Sequence, residues 1–294
     1  MTDTVSFEVP SAGGPRTVTL ACERRGAGEP LLLLHGIGHH LQAWDPVSRI
    51  LAADREVIAV DLPGFGSSPA LPQGLEYDLA TVTTVLGGLC EALGVGRPHV
   101  AGNSLGGLLA LEMGRRRLAR TVTALSPGGF WSPGEWRYAA SVLRVMREGA
   151  SRLPLPVVRQ LARSTAGRAA LTGTIYARPG RRAPEAVVAE TLALKHAPGF
   201  EATLRAGAGL AFTDDLPGLP VTVAWGDKDR LLLPRQGVRA KRIIPEARLV
   251  RLRGCGHVPM NDDPALVARV VRDGSGVDGS SGSGSGSGSG ATEG

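Results

Sequence analysis

The sequence predicts an α/β protein built on a mostly parallel sheet of eight strands, with helices on both faces. Short apolar runs of strand length alternate with helical segments along the chain, which is typical of such a sheet. One long helical stretch without strands interrupts this alternation. The 294 residues, 43% of them hydrophobic, are enough for one large domain that carries such an insertion.

The strands are predicted from apolar runs that end in turn-forming residues. Residues 6–10 and 16–23 should pair as an opening hairpin around Gly13-Gly14. The run Leu31-Leu32-Leu33-Leu34 and residues 57–60 have no polar face, which indicates strands buried on both sides of the sheet. The other predicted strands are residues 98–102, 121–125, 221–225 and 248–252.

Helices are predicted at residues 43–53, 78–93, 105–117, 234–244 and 264–272. The second of these ends at Gly94, a residue type that commonly follows the last turn of a helix. Between residues 127 and 215, prolines separate several Arg-rich helical stretches. We expect this insertion to form a lid over the carboxyl ends of the strands, where open α/β sheets bind their ligands.

The predicted domains are an α/β core, a helical cap and a tail. The core comprises residues 1–127 and 216–273, and the cap comprises residues 128–215. Residues 274–294 are nearly all Gly and Ser and cannot bury apolar surface, so a disordered tail is predicted there. Residues 128–213 contain eleven arginines and Lys195 but only five glutamates. This excess of positive charge is interpreted first as a solvated face, and steering of an anionic substrate is the alternative.

The composition argues against several classes of protein. The net charge is +6, but no recognition motif and few aromatic residues accompany it, which argues against nucleic-acid binding. The cysteines Cys22, Cys90 and Cys255 have no regular spacing, so neither a disulfide framework nor a metal site is expected. The chain starts without a secretory signal, and no apolar run approaches the ~20 residues of a membrane span. We expect a cytoplasmic protein without stable membrane insertion, and a homodimer is compatible with the sequence.

Gly102-Asn103-Ser104-Leu105-Gly106 is the strongest functional motif in the chain. It lies where a predicted strand runs directly into a predicted helix, which places Ser104 at the corner. A residue there takes a strained backbone conformation, and residues two positions away must be small, as Gly102 and Gly106 are. Ser104 is therefore predicted to be a nucleophile. The alternative is a glycine-rich turn with an incidental serine.

A serine nucleophile needs a base, and His257 is the predicted one. It follows the last strand, so it should lie at the same edge of the sheet as Ser104. His99 begins a strand at the opposite edge and His196 lies in the insertion, so other roles are expected for both. The base needs an acid to orient it. Asp227 and Asp229, which follow the strand before His257, compete for this role, while Asp61 is interpreted as a turn residue.

Acyl transfer also requires N–H groups that stabilise the negative charge developing on the carbonyl oxygen. The N–H of Leu105, directly after Ser104, should supply one. The N–H of Ile37, in the loop His35-Gly36-Ile37-Gly38, should supply the other, with His35 as a structural turn residue. The residues predicted to line the substrate pocket are Gly36, Asn103, Phe130, Trp131, Trp136 and Val258.

Residues 31–272 resemble the α/β-hydrolase superfamily in five motifs, which occur in the order typical of that superfamily. They are Leu34-His35-Gly36-Ile37-Gly38 with Trp44, Asp61-Leu62-Pro63-Gly64-Phe65-Gly66-Ser67-Ser68, Gly102-Asn103-Ser104-Leu105-Gly106-Gly107, Trp225-Gly226-Asp227-Lys228-Asp229 and Gly256-His257-Val258-Pro259. The resemblance implies the α/β-hydrolase fold, with a helical cap between the sixth and seventh strands. The Gly-x-x-Asp pattern of the family selects Asp229 as the acid, which gives the family's order Ser104, Asp229, His257.

The resemblance also implies a serine esterase that forms an acyl-enzyme on a small-molecule ester or other acyl substrate, without metal or organic cofactor. Ser104 argues against dehalogenases and epoxide hydrolases, whose nucleophile is Asp. Carbon–carbon bond hydrolases are similar around Asn103-Ser104 but commonly carry Trp where this chain has Val258. One alternative is a carbon–carbon hydrolase or a perhydrolase on the same triad. Another is a receptor-like, ligand-binding protein with weak turnover.

Overall fold

The computed structural model describes residues 2–276, in which eight strands form one sheet. The strands are β1 (Asp3–Val9), β2 (Arg16–Arg25), β3 (Glu29–Leu34), β4 (Arg55–Val60), β5 (His99–Asn103), β6 (Thr121–Leu125), β7 (Val221–Gly226) and β8 (Arg248–Leu252). They lie in the order β1-β2-β4-β3-β5-β6-β7-β8. Neighbours from β4 to β8 pair in parallel, while β2 pairs antiparallel with both β1 and β4. The mostly parallel sheet predicted from the sequence is confirmed.

The helices follow the strands in the predicted alternation. They are α1 (Asp45–Leu51), α2 (Leu79–Ala92), α3 (Leu105–Arg115), α4 (Pro133–Arg152), α5 (Leu155–Arg163), α6 (Thr165–Thr172), α7 (Pro184–His196), α8 (Phe200–Ala206), α9 (Arg235–Ile243), α10 (Pro259–Asp262) and α11 (Pro264–Gly274). Helices α4 to α8 lie between β6 and β7, so the insertion at residues 128–215 is helical. None of the helices in residues 2–276 is long and apolar enough to cross a membrane.

The central strands are buried on both faces because their side chains point alternately to two hydrophobic cores. Leu32 and Leu34 of β3 belong to one core, and Leu31 and Leu33 belong to the other. All four side chains are at most 1% exposed. Burial of each contributes about 1.5–3 kcal/mol to folding relative to an exposed position. The two cores therefore hold helices against both sides of the sheet.

The helix predicted at residues 43–53 forms as two shorter segments. A 3₁₀ turn covers Leu41–Trp44, and α1 starts at the next residue. Pro46 is the second residue of α1, a position where its missing N–H leaves no hydrogen bond unmade. A single helix from residue 43 would have needed Pro46 further inside, so the proline explains the division.

The carboxyl end of α11 packs against the core. Ser275 is 5% exposed, and its carbonyl and hydroxyl oxygens accept hydrogen bonds from Arg55 Nη2 at 2.9 and 3.0 Å. Gly274 and Ser275 belong to the predicted tail, yet here they close the last helix. Of that tail, residues 277–294 lie outside the described residues. The three cysteines, Cys22, Cys90 and Cys255, are buried and free.

Candidate active site

Ser104 lies at the corner between β5 and α3. Its φ of 57° and ψ of −115° place it in a backbone region that residues other than Gly rarely adopt. The N–H of Ser104 donates to the carbonyl oxygen of Leu125 on β6 at 2.9 Å, which fixes this turn to the neighbouring strand. The strained turn thus lifts the hydroxyl above the carboxyl edge of the sheet, beside the first turn of α3.

The glycines on both sides of Ser104 are required by close backbone contacts. A Cβ atom added to Gly102 would lie 2.0 Å from the carbonyl oxygen of Gly106. A Cβ added to Gly106 would lie 2.2 Å from the carbonyl oxygen of Leu34 on β3. Both distances are far below van der Waals contact. The first turn of α3 can therefore reach β3 only because these two positions carry no side chain.

His257 and Asp229 form a buried pair beyond the ends of β8 and β7. The Nδ1 atom of His257 lies 2.8 Å from Asp229 Oδ2. The other carboxylate oxygen accepts the N–H groups of Leu231 and Leu232, each at 2.9 Å. Because a carboxylate only accepts hydrogen bonds, the ring proton lies on Nδ1, and Nε2 carries a free lone pair. His257 is therefore held in one orientation by Asp229, whose carboxylate is itself fixed by two backbone groups.

The competing aspartates stabilise loops. Asp227 Oδ1 accepts the N–H of Gly254 at 2.7 Å, which connects the loop after β7 to the loop after β8. Asp61 accepts the N–H groups of Leu41 at 2.6 Å and Ser67 at 2.8 Å. Neither carboxylate is hydrogen-bonded to His257 in the described part of the chain. Of the two candidates after β7, Asp229 is the one that contacts the histidine.

The two predicted N–H donors belong to residues that line a cavity together with Ser104. Leu105 is the first residue of α3, where an N–H has no acceptor within its own helix. Gly36 packs so closely on Ser104 that a Cβ atom there would be 3.1 Å from the serine Cβ, which brings the adjacent Ile37 to the site. Within residues 2–276, neither the Ile37 N–H nor the Leu105 N–H makes a backbone hydrogen bond. Both groups are thus free to bind an oxygen atom.

Two cavities meet at Ser104. The apolar cavity is lined by Ser104, Leu105 and apolar side chains of the core and the insertion, among them Leu62, Val82, Leu108, Leu143, Leu204 and Leu210. The His257 cavity contains Ser104, His257 and several polar side chains. Ile37 borders both cavities. The serine therefore has space on two sides. Both spaces are lined mainly by apolar side chains, and the second also includes the side chains of His257 and Glu190.

The predicted pocket residues divide between these cavities. Trp131 and Trp136, whose ring centroids are 4.8 Å apart, line the apolar cavity. Gly36, Asn103 and Val258 line the His257 cavity.

Phe130 departs from the prediction, because it lines neither cavity. It is 2% exposed, and its ring packs against that of Phe212 with the centroids 5.8 Å apart. Its side chain is therefore part of the hydrophobic core under the insertion.

Two polar residues hold the His257 loop in place through contacts that sequence reasoning missed. Asn103 Nδ2 donates to the carbonyl oxygen of His257 at 2.9 Å, so this side chain has a positioning role besides lining the cavity. Asp262 accepts the N–H of Gly256 at 2.7 Å and those of Ala177 and Arg178 in the insertion at 2.9 and 2.8 Å. No sequence signal identifies Asp262, because its partners lie on two separate loops.

Burial keeps two other histidines near the site neutral. His35 is fully buried; its Nδ1 donates to the Gly36 carbonyl oxygen at 2.7 Å, and its Nε2 accepts the Leu62 N–H at 3.0 Å. Burial lowers the pKa of His35 to about 3. Burial also lowers the pKa of His39 well below its ordinary value. His35 is therefore a structural residue of the turn, as its place in the sequence predicts.

The chain is similar to known hydrolases in sequence and in structure. The model of the alpha/beta hydrolase family matches residues 31–270. A pimeloyl-[acyl-carrier protein] methyl ester esterase of Aeromonas salmonicida is 30% identical over 267 residues, which cover 87% of this chain and 98% of the relative. Two solved structures also resemble it. An esterase of Thermogutta terrifontis gives a TM-score of 0.72 at 23% identity, covering 92% of this chain and 97% of the other.

The second structure is a meta-cleavage product hydrolase of Pseudomonas fluorescens IP01. Its TM-score is 0.68 at 20% identity, and the match covers 92% of this chain and 97% of the other. At such identities the two solved structures establish a common fold and nothing narrower.

Gly106→Ala should destabilise the protein by about 2 kcal/mol or more, because its methyl group would overlap the Leu34 carbonyl oxygen. Gly134→Ala is the matched control, since it introduces the same group into exposed helix α4 with no atom within 4 Å. That change should be neutral or stabilising by about 0.5–1 kcal/mol. Urea unfolding measures both, and equal effects of the two substitutions would contradict the close contact at Gly106.

The free energy of unfolding should fall as the pH decreases from 6.5 towards 3. Unfolded His35 binds a proton near its ordinary pKa of 6.5, while the folded ring does not until about pH 3, so its stabilisation is complete only above 6.5. His39 acts with the same sign. Each ring adds a slope of about 1.4 kcal/mol per pH unit.

Urea unfolding between pH 6 and 5 measures this slope. His39→Gln should reduce it by about one proton, while the exposed control His196→Gln should leave it unchanged. The same slope in wild type and His39→Gln would show that His39 is protonated in the folded protein.

Proposed function

Because the chain belongs to the alpha/beta hydrolase family, we propose that it hydrolyses a carboxylic ester, or a related acyl bond, through an acyl-enzyme at Ser104. The observation that carries this proposal is the buried Asp229–His257 hydrogen bond, beside a cavity that His257 shares with Ser104. The Aeromonas relative is named for the hydrolysis of a methyl ester, which supports an ester as the substrate class. The proposed catalytic residues are Ser104, Asp229 and His257.

The mechanism follows from the free lone pair on His257 Nε2. This atom takes the proton of the Ser104 hydroxyl as the serine oxygen bonds to the carbonyl carbon. The carbonyl oxygen becomes negative and accepts hydrogen bonds from the N–H groups of Ile37 and Leu105. Asp229 stabilises the positive charge on the imidazole. When the bond to the leaving group breaks, His257 gives its proton to the departing alcohol oxygen, and the acyl group stays on Ser104.

Water completes the cycle by the same steps. His257 removes a proton from water, whose oxygen attacks the acyl carbon. The serine oxygen leaves with the proton from His257, and the acid is released. One base thus serves both halves of the reaction, with no net change in the protein.

The two cavities divide the substrate between them. His257 must reach the leaving oxygen, and it lines the His257 cavity but is not among the residues that line the apolar cavity. We therefore assign the leaving alcohol to the His257 cavity and the acyl group to the apolar cavity. The apolar lining of the latter favours a hydrocarbon acid.

The helical insertion contributes to both cavities, which supports its assignment as a cap. Trp131, Trp136 and Leu204 reach the apolar cavity, while Ile175 and Leu194 reach the His257 cavity. Residues 128–215 thus cover the site, with residues 1–127 and 216–273 as the catalytic core beneath.

A fluorophosphonate probe should label the wild-type protein at Ser104 and leave Ser104→Ala unlabelled. Asp229→Asn should lower kcat for a p-nitrophenyl ester on the order of 10⁴-fold, because the amide no longer holds the productive ring tautomer. Asp227→Asn is the matched control and should retain activity within a few-fold, since Asp227 only stabilises a loop.

Wild-type protein that the probe leaves unmodified would refute the acyl-enzyme. Turnover of vinylogous diketones without turnover of p-nitrophenyl esters would instead identify carbon–carbon bond cleavage on the same residues. Ligand-dependent partner binding with negligible turnover would favour a receptor-like protein.

The kcat/KM for p-nitrophenyl esters should rise from acetate to octanoate, because each CH₂ group buried in the apolar cavity contributes about 0.8 kcal/mol, roughly four-fold. Ala139, 1% exposed, lines this cavity. Ala139→Phe should therefore reduce the preference for octanoate over acetate. Ala169→Phe, at an exposed position of α6, is the control. A chain-length preference that Ala139→Phe leaves intact would place the acyl group elsewhere.

A further inference from the structure

A buried cluster of polar side chains forms one wall of the His257 cavity. Glu190 and His39 line the cavity, and each is 7% exposed. Behind them lie Tyr176 and Arg182, which complete the cluster. None of these four residues takes part in the mechanism above. We call them the Glu190 cluster.

The hydrogen bonds of the Glu190 cluster have defined directions. The Tyr176 hydroxyl donates to Glu190 Oε1 at 3.0 Å, since a carboxylate can only accept. The single proton of that hydroxyl is then used, so in the 3.2 Å contact with His39 Nε2 the imidazole must be the donor. The ring of His39 therefore carries its proton on Nε2, and its Nδ1 is an acceptor.

The Nε donor of Arg182 is buried and without a partner among the described residues, but Arg182 does not line this cavity. Two acceptor atoms on residues that do line it, Glu190 Oε2 and His39 Nδ1, are also buried and make no hydrogen bond with any residue that the structure describes. Buried polar atoms are almost always hydrogen-bonded, so such a pair next to a cavity indicates a ligand that donates. Burial lowers the pKa of His39, which keeps its Nδ1 an acceptor at neutral pH.

The charge of the cluster restricts the chemistry of that donor. Arg182 forms an ion pair with Glu190, and its guanidinium carbon lies 5.0 Å from the centre of the Tyr176 ring. The carboxylate charge is therefore already balanced. An ammonium group would bring an additional charge into a buried space, which is costly, whereas a hydroxyl group donates without adding charge.

We propose that Glu190 and His39 form a subsite that recognises a hydroxyl group on the leaving alcohol. The substrate class is then an ester of an apolar acid with a diol or polyol. This inference rests on the proposed function, since it uses the assignment of the leaving alcohol to the His257 cavity. The Glu190 cluster lies in that cavity, and its carboxylate oxygen Glu190 Oε2 accepts the single proton of the additional hydroxyl.

Two esters of nearly equal size test the subsite in the wild-type enzyme. Butyl octanoate and 3-hydroxypropyl octanoate share one acid, and their alcohols differ by a terminal methyl or hydroxyl group. We expect kcat/KM to be about tenfold higher for the hydroxylated ester, the size of effect that a hydrogen bond to a charged acceptor gives. As inhibitors, 1,3-propanediol should also bind more tightly than 1-butanol, a measurement that requires no variant.

Glu190→Gln should reduce the ratio of the two kcat/KM values to about one. Arg182 and Tyr176 would hold the amide oxygen in the place of Oε1, so an NH₂ donor would replace the Oε2 acceptor. Glu185→Gln is the matched control, because Glu185 is exposed on the same helix and does not line this cavity. The ratio of the two kcat/KM values for this variant should equal that of the wild type. General damage to the protein would lower both rates and leave the ratio unchanged.

Failure of the subsite and failure of the proposed function have different signatures. Hydrolysis of both esters at equal rates, with no advantage for the diol as inhibitor, would overturn the subsite and leave ester hydrolysis intact. A hydroxyl preference that survives Glu190→Gln would also overturn it. No turnover of either ester, together with no fluorophosphonate labelling of Ser104, would overturn the proposed function and this inference with it.

Discussion

The backbone of α3 approaches the end of β3 so closely that the two elements have no room for a side chain between them. The contact of Gly106 with the Leu34 carbonyl oxygen holds the first turn of the helix over the sheet. Ser104 is then forced into its left-handed conformation between two fixed elements. The loop after β3, with Ile37, lines the same cavity as Ser104 and Leu105. The position of Ser104 and of the Leu105 N–H therefore depends on this one junction.

The parts of the structure that sequence predicts are those fixed by local chemistry. The buried strands follow from runs such as Leu31-Leu32-Leu33-Leu34, and the corner at Ser104 follows from its glycines. The division of the helix near Pro46 was missed, although its cause is local. Other features depend on residues far apart in the chain. Asn103 and Asp262 hold the His257 loop through backbone atoms, which have no sequence signature.

Arginines of the insertion contribute to its internal structure as well as to its charge. Arg168 donates to the carbonyl oxygens of Ala162 and Gly180, and Arg147 donates to that of Leu194. A guanidinium can reach several acceptors at once, whereas an ammonium group acts as a point charge. The arginine-rich composition therefore serves short helices that have few apolar residues with which to pack against each other. This adds a structural role to the solvated face inferred from charge alone.

The three hydrogen bonds of Asp262 join the loop of His257 to residues 177 and 178 of the insertion. A rigid-body displacement of the whole insertion would break these bonds and disturb the histidine loop. The attachment therefore gives the His257 loop and residues 177 and 178 one common position, so the place of the histidine ring depends on the insertion as well as on the sheet.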